Sequence, residues 1–555
     1  MPSNGSVNNV KLHQTYQRAR GAYYTPDVVT THLAEWLMKG EPRSILEPSA
    51  GDGAFLRAVL SQLTANGSRR TEITAVELNR EAIDSAKSRL PARRVKFVHA
   101  DFLTFSATGF CAVIGNPPFV RLRHLPKAER ITALNAAEDA LGYPMDPSGS
   151  VWMPFALHAS HRLRPGGRLA LVLPLDATYV RYARPFWDRL ARVFGNLTVI
   201  RVRERLFADL SQDVVLLLAE SAGSQTTTIR FEAYNTLRDL QTASAEVRSN
   251  INVEDVVRGK RAFLHALLPY GLRELLEHRL DQKLISAGLV ARFRIGYVAG
   301  HKTYFHPPAD EVSRRKLPKR SLVPTVATAK VLRGSGLRTS RLVARGECEH
   351  LFYPLGRELS PAEQAYVAFG EESGVANAYK CRARTPWYLV PYVSAPDILM
   401  SVFSDRPFVA INDGSLVASN SLLCATLLEG SVDEFATRWY NSLTLLQCEL
   451  NVHSLGGGVF VLVPREAAAV RLIRKVQSNK VVLARIDRAL RDGDIGAAYE
   501  CGDEHSLRKQ LRLTPRAVEL IRDGVTTLRR WRTAGSSAAN GSVEEVDEDL
   551  AILEA

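Results

Sequence analysis

The stretch Val113-Ile114-Gly115-Asn116-Pro117-Pro118-Phe119 is an apolar run that ends in a glycine, an amide, two prolines and an aromatic ring. An amide beside a flat ring suits a planar target that carries an exocyclic amino group. The amide oxygen of Asn116 and a neighbouring backbone carbonyl can accept the two N–H bonds of that group, while the Phe119 ring stacks on the target's face. Cys111 to Ile114 reads as a buried strand. Pro117 and Pro118 cannot continue a sheet ladder and stiffen the backbone beyond it. Asn116 and Phe119 are therefore expected on a rigid loop at a strand's carboxyl end, the edge at which open α/β sheets bind ligands.

Other strand ends carry matching chemistry. Leu46-Glu47-Pro48-Ser49-Ala50-Gly51-Asp52-Gly53 reads as strand, tight glycine loop and helix, so small residues let the backbone approach a ligand. The loop lacks the Gly-Lys-Ser/Thr of a triphosphate site. Its acids, Glu47 and Asp52, repel a pyrophosphate but can hold an ammonium group, which points to a ligand with an amino-acid portion. The strand Ile73–Asn79 delivers Glu77, a carboxylate able to take two ribose hydroxyls. A strand over Val95–Ala100 delivers Asp101 and Phe102, an acceptor and a ring suited to adenine. One acid at a strand end is an ordinary exposed carboxylate; four successive strands with apt ends need a shared cause.

These residues need elements to hold them. Before the glycine loop, Thr25 is expected to cap a helix that starts at Pro26-Asp27 and runs to about Met38. Residues 120–150 read as a long loop. Trp152–Leu163 reads as helix, Pro165-Gly166-Gly167 as a turn, Arg168–Leu173 as a fifth strand and Tyr179–Phe194 as a helix. Strands at Leu197–Val202 and Val214–Ala219 flank Leu206-Phe207-Ala208-Asp209 and can form a hairpin. The alternation gives an α/β class, a doubly wound sheet.

The totals are compatible with this picture. A chain of 555 residues holds more than one core. A net charge of +14 favours a polyanionic partner. Six scattered cysteines without a C-x-x-C pair argue against a disulfide framework and a zinc site, and fit a reducing cytoplasm. No metal is expected, no apolar run reaches bilayer-spanning length, and the polar start lacks the apolar core of a signal peptide.

The set Tyr24-Thr25-Pro26, Leu46 to Gly53, Glu77, Asp101-Phe102 and Asn116-Pro117-Pro118-Phe119 resembles the gamma-class N6-adenine DNA methyltransferases, the modification enzymes of restriction–modification systems. The resemblance covers residues 20–220 well. It extends more loosely over 285–465, through Pro386-Trp387-Tyr388, Asn412-Asp413-Gly414, Trp439-Tyr440-Asn441-Ser442 and Gly456-Gly457-Gly458. The resemblance implies a Rossmann-like methyltransferase sheet, a C-terminal mixed α/β target-recognition domain and a helical C-terminal segment. It implies S-adenosylmethionine as cofactor, bordered by Thr25, Glu47, Ser49, Gly51, Asp52, Gly53, Glu77, Asp101 and Phe102. It implies that Asn116 and the Pro117 carbonyl, on the loop stiffened by Pro118, hold the target amino group. The flipped adenine would stack on Phe119, with Phe207 as a second ring. The family usually has Tyr where Phe119 stands; the ring face is kept.

The resemblance further implies double-stranded DNA as substrate, a cognate restriction endonuclease as functional partner, and a monomer acting on the nucleoid of a bacterial cytoplasm. The expected domains are an arm at 1–20, the methyltransferase domain at 21–225, a partly helical connector at 226–285 with a helix over Phe263–Leu289, the recognition domain at 286–465, a helical region at 466–535 and an acidic tail at 536–555. Basic turns such as Arg314-Arg315-Lys316 suit phosphate contacts in the recognition domain. An RNA or protein-glutamine methyltransferase, which shares the Asn-Pro-Pro-Phe/Tyr motif, and an inert DNA-binding protein with this fold remain open alternatives.

Overall fold

The computed structural model describes residues 25–534 except residues 69, 91, 208–212, 333, 356–357, 405 and 456–458. The expected arm, the acidic tail and Gly456-Gly457-Gly458 lie outside the described residues. The chain divides into two compact units, Met1–Leu267 and Leu268–Ala555.

The first unit is built on a nine-stranded sheet with the order β3-β2-β1-β4-β5-β7-β6-β8-β9. Its strands are β1 (Ser44–Glu47), β2 (Glu72–Glu77), β3 (Val95–His99), β4 (Phe110–Gly115), β5 (Leu163–Pro174), β6 (Phe194–Val202), β7 (Val214–Ala222), β8 (Thr228–Tyr234) and β9 (Val247–Asn252). The five strands from β3 to β5 are parallel. The chain order reverses between β1 and β4, which leaves a crevice at their carboxyl ends. β7 runs antiparallel between β5 and β6, so the expected hairpin forms and β7 is inserted into the sheet.

Strands covered on both faces have no need to alternate polar and apolar residues. Leu169 to Leu173 of β5 are accordingly all fully buried. Helix α1 (Asp27–Met38) buries Val29, Leu33, Ala34 and Leu37, and α2 (Ala54–Ala65) buries Phe55, Leu56, Val59 and Leu63. Both stripes follow helical spacing and join one core with Ile45, Ala112, Ile114 and Ala170 of the strands. Helix α3 (Arg80–Arg89) follows β2 and is capped by Asn79, whose side chain accepts from Glu81 N. In α5 (Trp152–Ser160) every residue but His158 is buried, and α6 (Arg184–Val193) adds Phe186 and Trp187. Trp152 meets Phe186 edge-on at 5.1 Å between ring centres. Burying each such ring contributes ~3 kcal/mol.

Several expectations need correction. Residues 120–150 are not a loop: α4 (Lys127–Leu141) occupies half of them and ends at Gly142, φ +83°. Its buried residues are Ala133, Ala136, Ala137 and Ala140, too small to leave a clear apolar stripe in the sequence. The expected sheet boundary at 225 falls short, because β8 and β9 continue the same sheet. β8 alternates Ile229, Phe231 and Ala233 inward with polar neighbours, while β9 is a polar edge strand that buries little beyond Ile251. Pro165 to Gly167, expected as a turn, lie within β5, with a register shift against β4. The helix expected over Phe263–Leu289 is broken at Pro269 into Ala262–Ala266 and a segment from Tyr270.

In the second unit a four-stranded antiparallel sheet orders Ala291–Ile295, Leu422–Leu427, Ile398–Ser401 and Val409–Ile411. A three-stranded sheet contains Leu322–Val326. Helices Lys480–Arg491 and Ile495–Gly502 share one core with Trp439, Phe435 and the four-stranded sheet. The recognition and helical regions, expected as separate at 465, thus have a common interior. Helix Pro515–Thr533 is tied to Ser442–Asn451 by a buried ion pair, Arg532 Nε to Glu449 Oε2 at 2.9 Å.

Candidate active site

The crevice between β1 and β4 opens into a cavity of about 430 Å³. Ten of the expected site residues line it: Thr25, Glu47, Ser49, Gly51, Asp52, Glu77, Asp101, Phe102, Asn116 and Pro118. Gly53, Pro117, Phe119 and Phe207 do not line it.

The glycine loop is locked from below. Glu77 Oε2 accepts from Gly51 N and Oε1 from Asn79 N, both at 2.8 Å. Each Glu77 oxygen keeps acceptor capacity for a hydroxyl. Gly53 caps α2 at φ +84°, and a Cβ there would lie 2.8 Å from Leu90 Cδ1. Asp101 uses Oδ1 to accept from Leu103 N at 2.9 Å, which turns the chain under the cavity. The Phe102 ring is fixed 4.7 Å from Phe155.

Glu47 is fully buried, and neither of its carboxylate oxygens has a partner. Burial, then the charges of Glu77 and Asp52, push its pKa well above the carboxylate range. Such a group calls for a cation. Asp52, the other acid expected to hold an ammonium group, is instead engaged by Arg57 Nη1 at 3.3 Å and Arg89 Nη1 at 3.9 Å. An orphaned acid, a ribose-competent acid and an acid-and-ring pair at three successive strand ends fit a cofactor with a cationic amino-acid portion, a ribose and a purine.

Asn116 sits at the end of β4. Gly115 before it is needed for space, since a Cβ there would lie 3.1 Å from Pro48 Cδ. The Asn116 carbonyl accepts from Ser49 Oγ at 3.0 Å. Its Nδ2 donates to Thr25 Oγ1 at 3.2 Å. Its Oδ1 is buried without a partner, an acceptor left for something in the cavity. Thr25 does not cap α1, contrary to expectation: Pro26 holds that position with no side-chain cap, so the buried hydroxyl is spent on Asn116. Phe119 is half-buried against the core to which the buried Phe207 belongs.

Sequence reasoning missed the residues that flank this centre. Asn79 and Ser85 of the α3 region and Leu125, Val151 and Phe155 line the cavity. Beside the Asn116 loop, Asp176 just beyond β5 lies with Oδ2 4.0 Å from Arg121 Nη2 and 3.5 Å from the Tyr182 hydroxyl, which accepts from Trp152 Nε1 at 3.2 Å. Burial raises the Asp176 pKa to about 6, against the opposing pull of Arg121. An acid at the end of a fifth strand was the available signal. Among the described residues no group of three or more His, Cys, Asp or Glu could hold a metal, and no helix is long and apolar enough to cross a membrane.

Comparison with known proteins agrees with this geometry. Residues 10–220 match the N-6 DNA Methylase family, and residues 260–507 match the C-terminal domain of the Type II methyltransferase M.Eco57I. The Type II methyltransferase M.AccI of Acinetobacter calcoaceticus is 20% identical over 402 residues, 69% of this chain and 71% of that one. A tRNA1(Val) (adenine(37)-N6)-methyltransferase of Tolumonas auensis is 32% identical over 149 residues, 26% of this chain and 56% of that one. The fold is shared with the Type IIL restriction-modification enzyme MmeI, solved in complex with DNA, at a TM-score of 0.50 and 11% identity over 95% of this chain and 74% of that one. With residues 10–220 and 260–507 matched in turn and a site of this composition at the switch point of the sheet, the chain is similar to the N6-adenine modification methylases of restriction–modification systems.

Proposed function

We propose that this protein is a site-specific DNA methyltransferase that moves a methyl group from S-adenosylmethionine to N6 of an adenine turned out of the duplex. The observation that carries the reading is the Asn116 Oδ1, a buried acceptor without a partner at the cavity wall, beside the stiff Pro117-Pro118 turn. S-adenosylmethionine supplies the electrophilic methyl group. Glu47, Ser49 and the glycine loop would hold its amino-acid portion, Glu77 its ribose, and Asp101 with Phe102 its purine.

The amino nitrogen of adenine is a poor nucleophile because its lone pair is delocalised into the ring. Asn116 Oδ1 and the Pro117 carbonyl, by accepting both N–H bonds, favour a pyramidal nitrogen and localise that pair. Phe119, which is half-buried, would stack on the base and offset the cost of unstacking it, roughly a few kcal/mol; Phe207 is buried in the core and would have to move to serve as a second ring. Holding two substrates in line can contribute ~7–11 kcal/mol at best, and no covalent intermediate is required. We assign the cytoplasm as compartment, a monomer as working form and a cognate restriction endonuclease as functional partner on the same reading.

The tRNA methyltransferase similarity favours one rival, an RNA substrate. It is confined to 26% of this chain, whereas the second unit matches the C-terminal domain of a Type II methyltransferase. The test is methyl transfer from labelled S-adenosylmethionine to unmethylated genomic DNA and to bulk tRNA, followed by base-resolution mapping. N6-methyladenine at one short DNA motif is expected; transfer to tRNA alone would replace this reading with the rival. Asn116→Ala is expected to abolish transfer while cofactor affinity stays within a few-fold of wild type, checked by calorimetry.

A further inference from the structure

In the second unit, the connection between helix Pro361–Glu372 and strand Ile398–Ser401 presents two tyrosines to solvent, Tyr379 at 73% and Tyr392 at 85% exposure. Large rings are rarely left so bare in a well-packed unit, and here the backbone beneath them is held firmly. Cys381 and Val390 are buried, and the Trp387 ring packs 5.4 Å from Tyr304. Tyr392 has φ +58°, a left-handed conformation that a bulky residue adopts only when its surroundings impose it. Arg294, on the strand Ala291–Ile295, imposes it: Nη1 donates to the Tyr392 carbonyl at 3.0 Å and Nη2 to the Ser394 carbonyl at 3.3 Å. The ring thus projects from a braced loop tip and is 85% exposed.

The charge of the connection says what would cover it. Between Ser373 and Pro396 there is no acid, and there are three bases, Lys380, Arg382 and Arg384. Arg384 is used internally, donating to the Ala299 carbonyl at 2.9 Å. Lys380 and Arg382 are exposed, and Lys380 Nζ lies 5.4 Å from the centre of the Tyr379 ring. Exposed rings interleaved with cations and without acids are complementary to a polyanion that also offers flat apolar faces, which describes nucleic acid and not an acidic peptide.

We infer that this connection is a DNA-engaging element, with Tyr392 as an exposed ring on a braced backbone that stacks on or wedges between bases and Lys380 and Arg382 as phosphate contacts. The inference rests on the DNA reading above and adds the residues through which the second unit would meet the duplex. A loop braced before binding needs little ordering on contact, which is the advantage that offsets its strained backbone.

The test uses the full chain and sheared, unmethylated bacterial genomic DNA, with affinity measured over a series of salt concentrations. Tyr392→Ala is expected to weaken DNA binding roughly tenfold with an unchanged salt slope, since stacking releases no counterions. Tyr392→Phe keeps the ring and is expected to bind as wild type does. Lys380→Gln with Arg382→Gln is expected to weaken binding and to shallow the salt slope by about 0.9 for each phosphate that is no longer neutralised. The thermal midpoint of all variants should match wild type. Tyr392→Ala binding DNA as tightly as wild type would overturn the inference, as would an equal loss in Tyr392→Phe or a chain that binds tRNA and no DNA. Methyl transfer is scored separately on the same wild-type preparation. DNA binding that depends on Tyr392 without methyl transfer would leave this inference standing and remove the enzymatic reading. Methyl transfer with Tyr392→Ala unaffected would do the reverse.

Discussion

Asn116 cannot act alone. Its amide must keep Oδ1 toward the cavity, and the Nδ2 end is accommodated only by the Thr25 hydroxyl. Removing that hydroxyl leaves a part-buried N–H without its acceptor, a cost of at most ~1–3 kcal/mol. Thr25→Val, close in shape, is expected to lower the transfer rate at saturating cofactor about tenfold, and Thr25→Ser to restore most of it; single-turnover kinetics read both. Glu47 supports a different prediction. Its carboxyl binds a proton too tightly because it is buried and faces the charges of Glu77 and Asp52, which outweigh the opposing pull of Arg57. A cofactor that brings positive charge lowers that pKa, so binding should release a proton and strengthen as pH rises toward the free-state value, then level off. Calorimetry in buffers of different ionisation enthalpy measures the release. Glu47→Gln should abolish it and weaken binding; an unchanged affinity in that variant would refute the assignment.

Among the elements, the fifth strand bears directly on the segment that follows β4. Asp176 just beyond its end faces Arg121, two residues beyond Phe119. Its folded-state pKa is raised from 3.8 to about 6, mainly by burial. The folded state therefore holds this proton more tightly than the unfolded state. The penalty is absent below the unfolded pKa, grows as pH rises between the two values, and is complete above the folded one, at ~3 kcal/mol at most. Asp176→Asn should accordingly raise stability at pH 8 by more than at pH 5, as read by urea unfolding at the two values. Equal shifts at both would mean that the ionised form is well accommodated. The elements that sequence patterning recovered were those with large apolar residues: β4 with its apolar run and α1 with Val29, Leu33 and Leu37. α4 escaped because alanines bury too little surface to mark a face, and β9 because an edge strand needs few apolar residues.

For the whole molecule, charge sets the expectation. A chain at +14 that meets DNA through many weak phosphate contacts should show affinity falling steeply with salt. A slope of about −0.9 for each phosphate neutralised is the guide, and a flat dependence between roughly 50 and 200 mM salt would contradict a DNA-binding surface. The two units differ in how they were legible. The first carries its chemistry in short runs at strand ends, which any doubly wound fold brings to one edge. The second carries exposed bases and rings in loops, where no periodicity announces which ones matter. Tyr392 is one such residue; only its conformation and the Arg294 clamp single it out.

The identity of the groups and the edge on which they gather were legible in the sequence: Glu47 and Glu77 end their strands, Asn116 and Asp101 follow theirs by one and two residues, and parallel strands end on the same side. That follows from local pattern and chirality, which act over a few residues. How those groups are used depends on contacts between distant segments. Glu47 is left without a partner while Asp52 is claimed by Arg57 and Arg89; Thr25 serves Asn116 instead of a helix end; Glu77 locks the glycine loop. Each of these pairings joins residues far apart in the chain or depends on a competing neighbour, and hydrogen bonds act over about 3 Å. No reading of spacing along one strand or helix contains that distance.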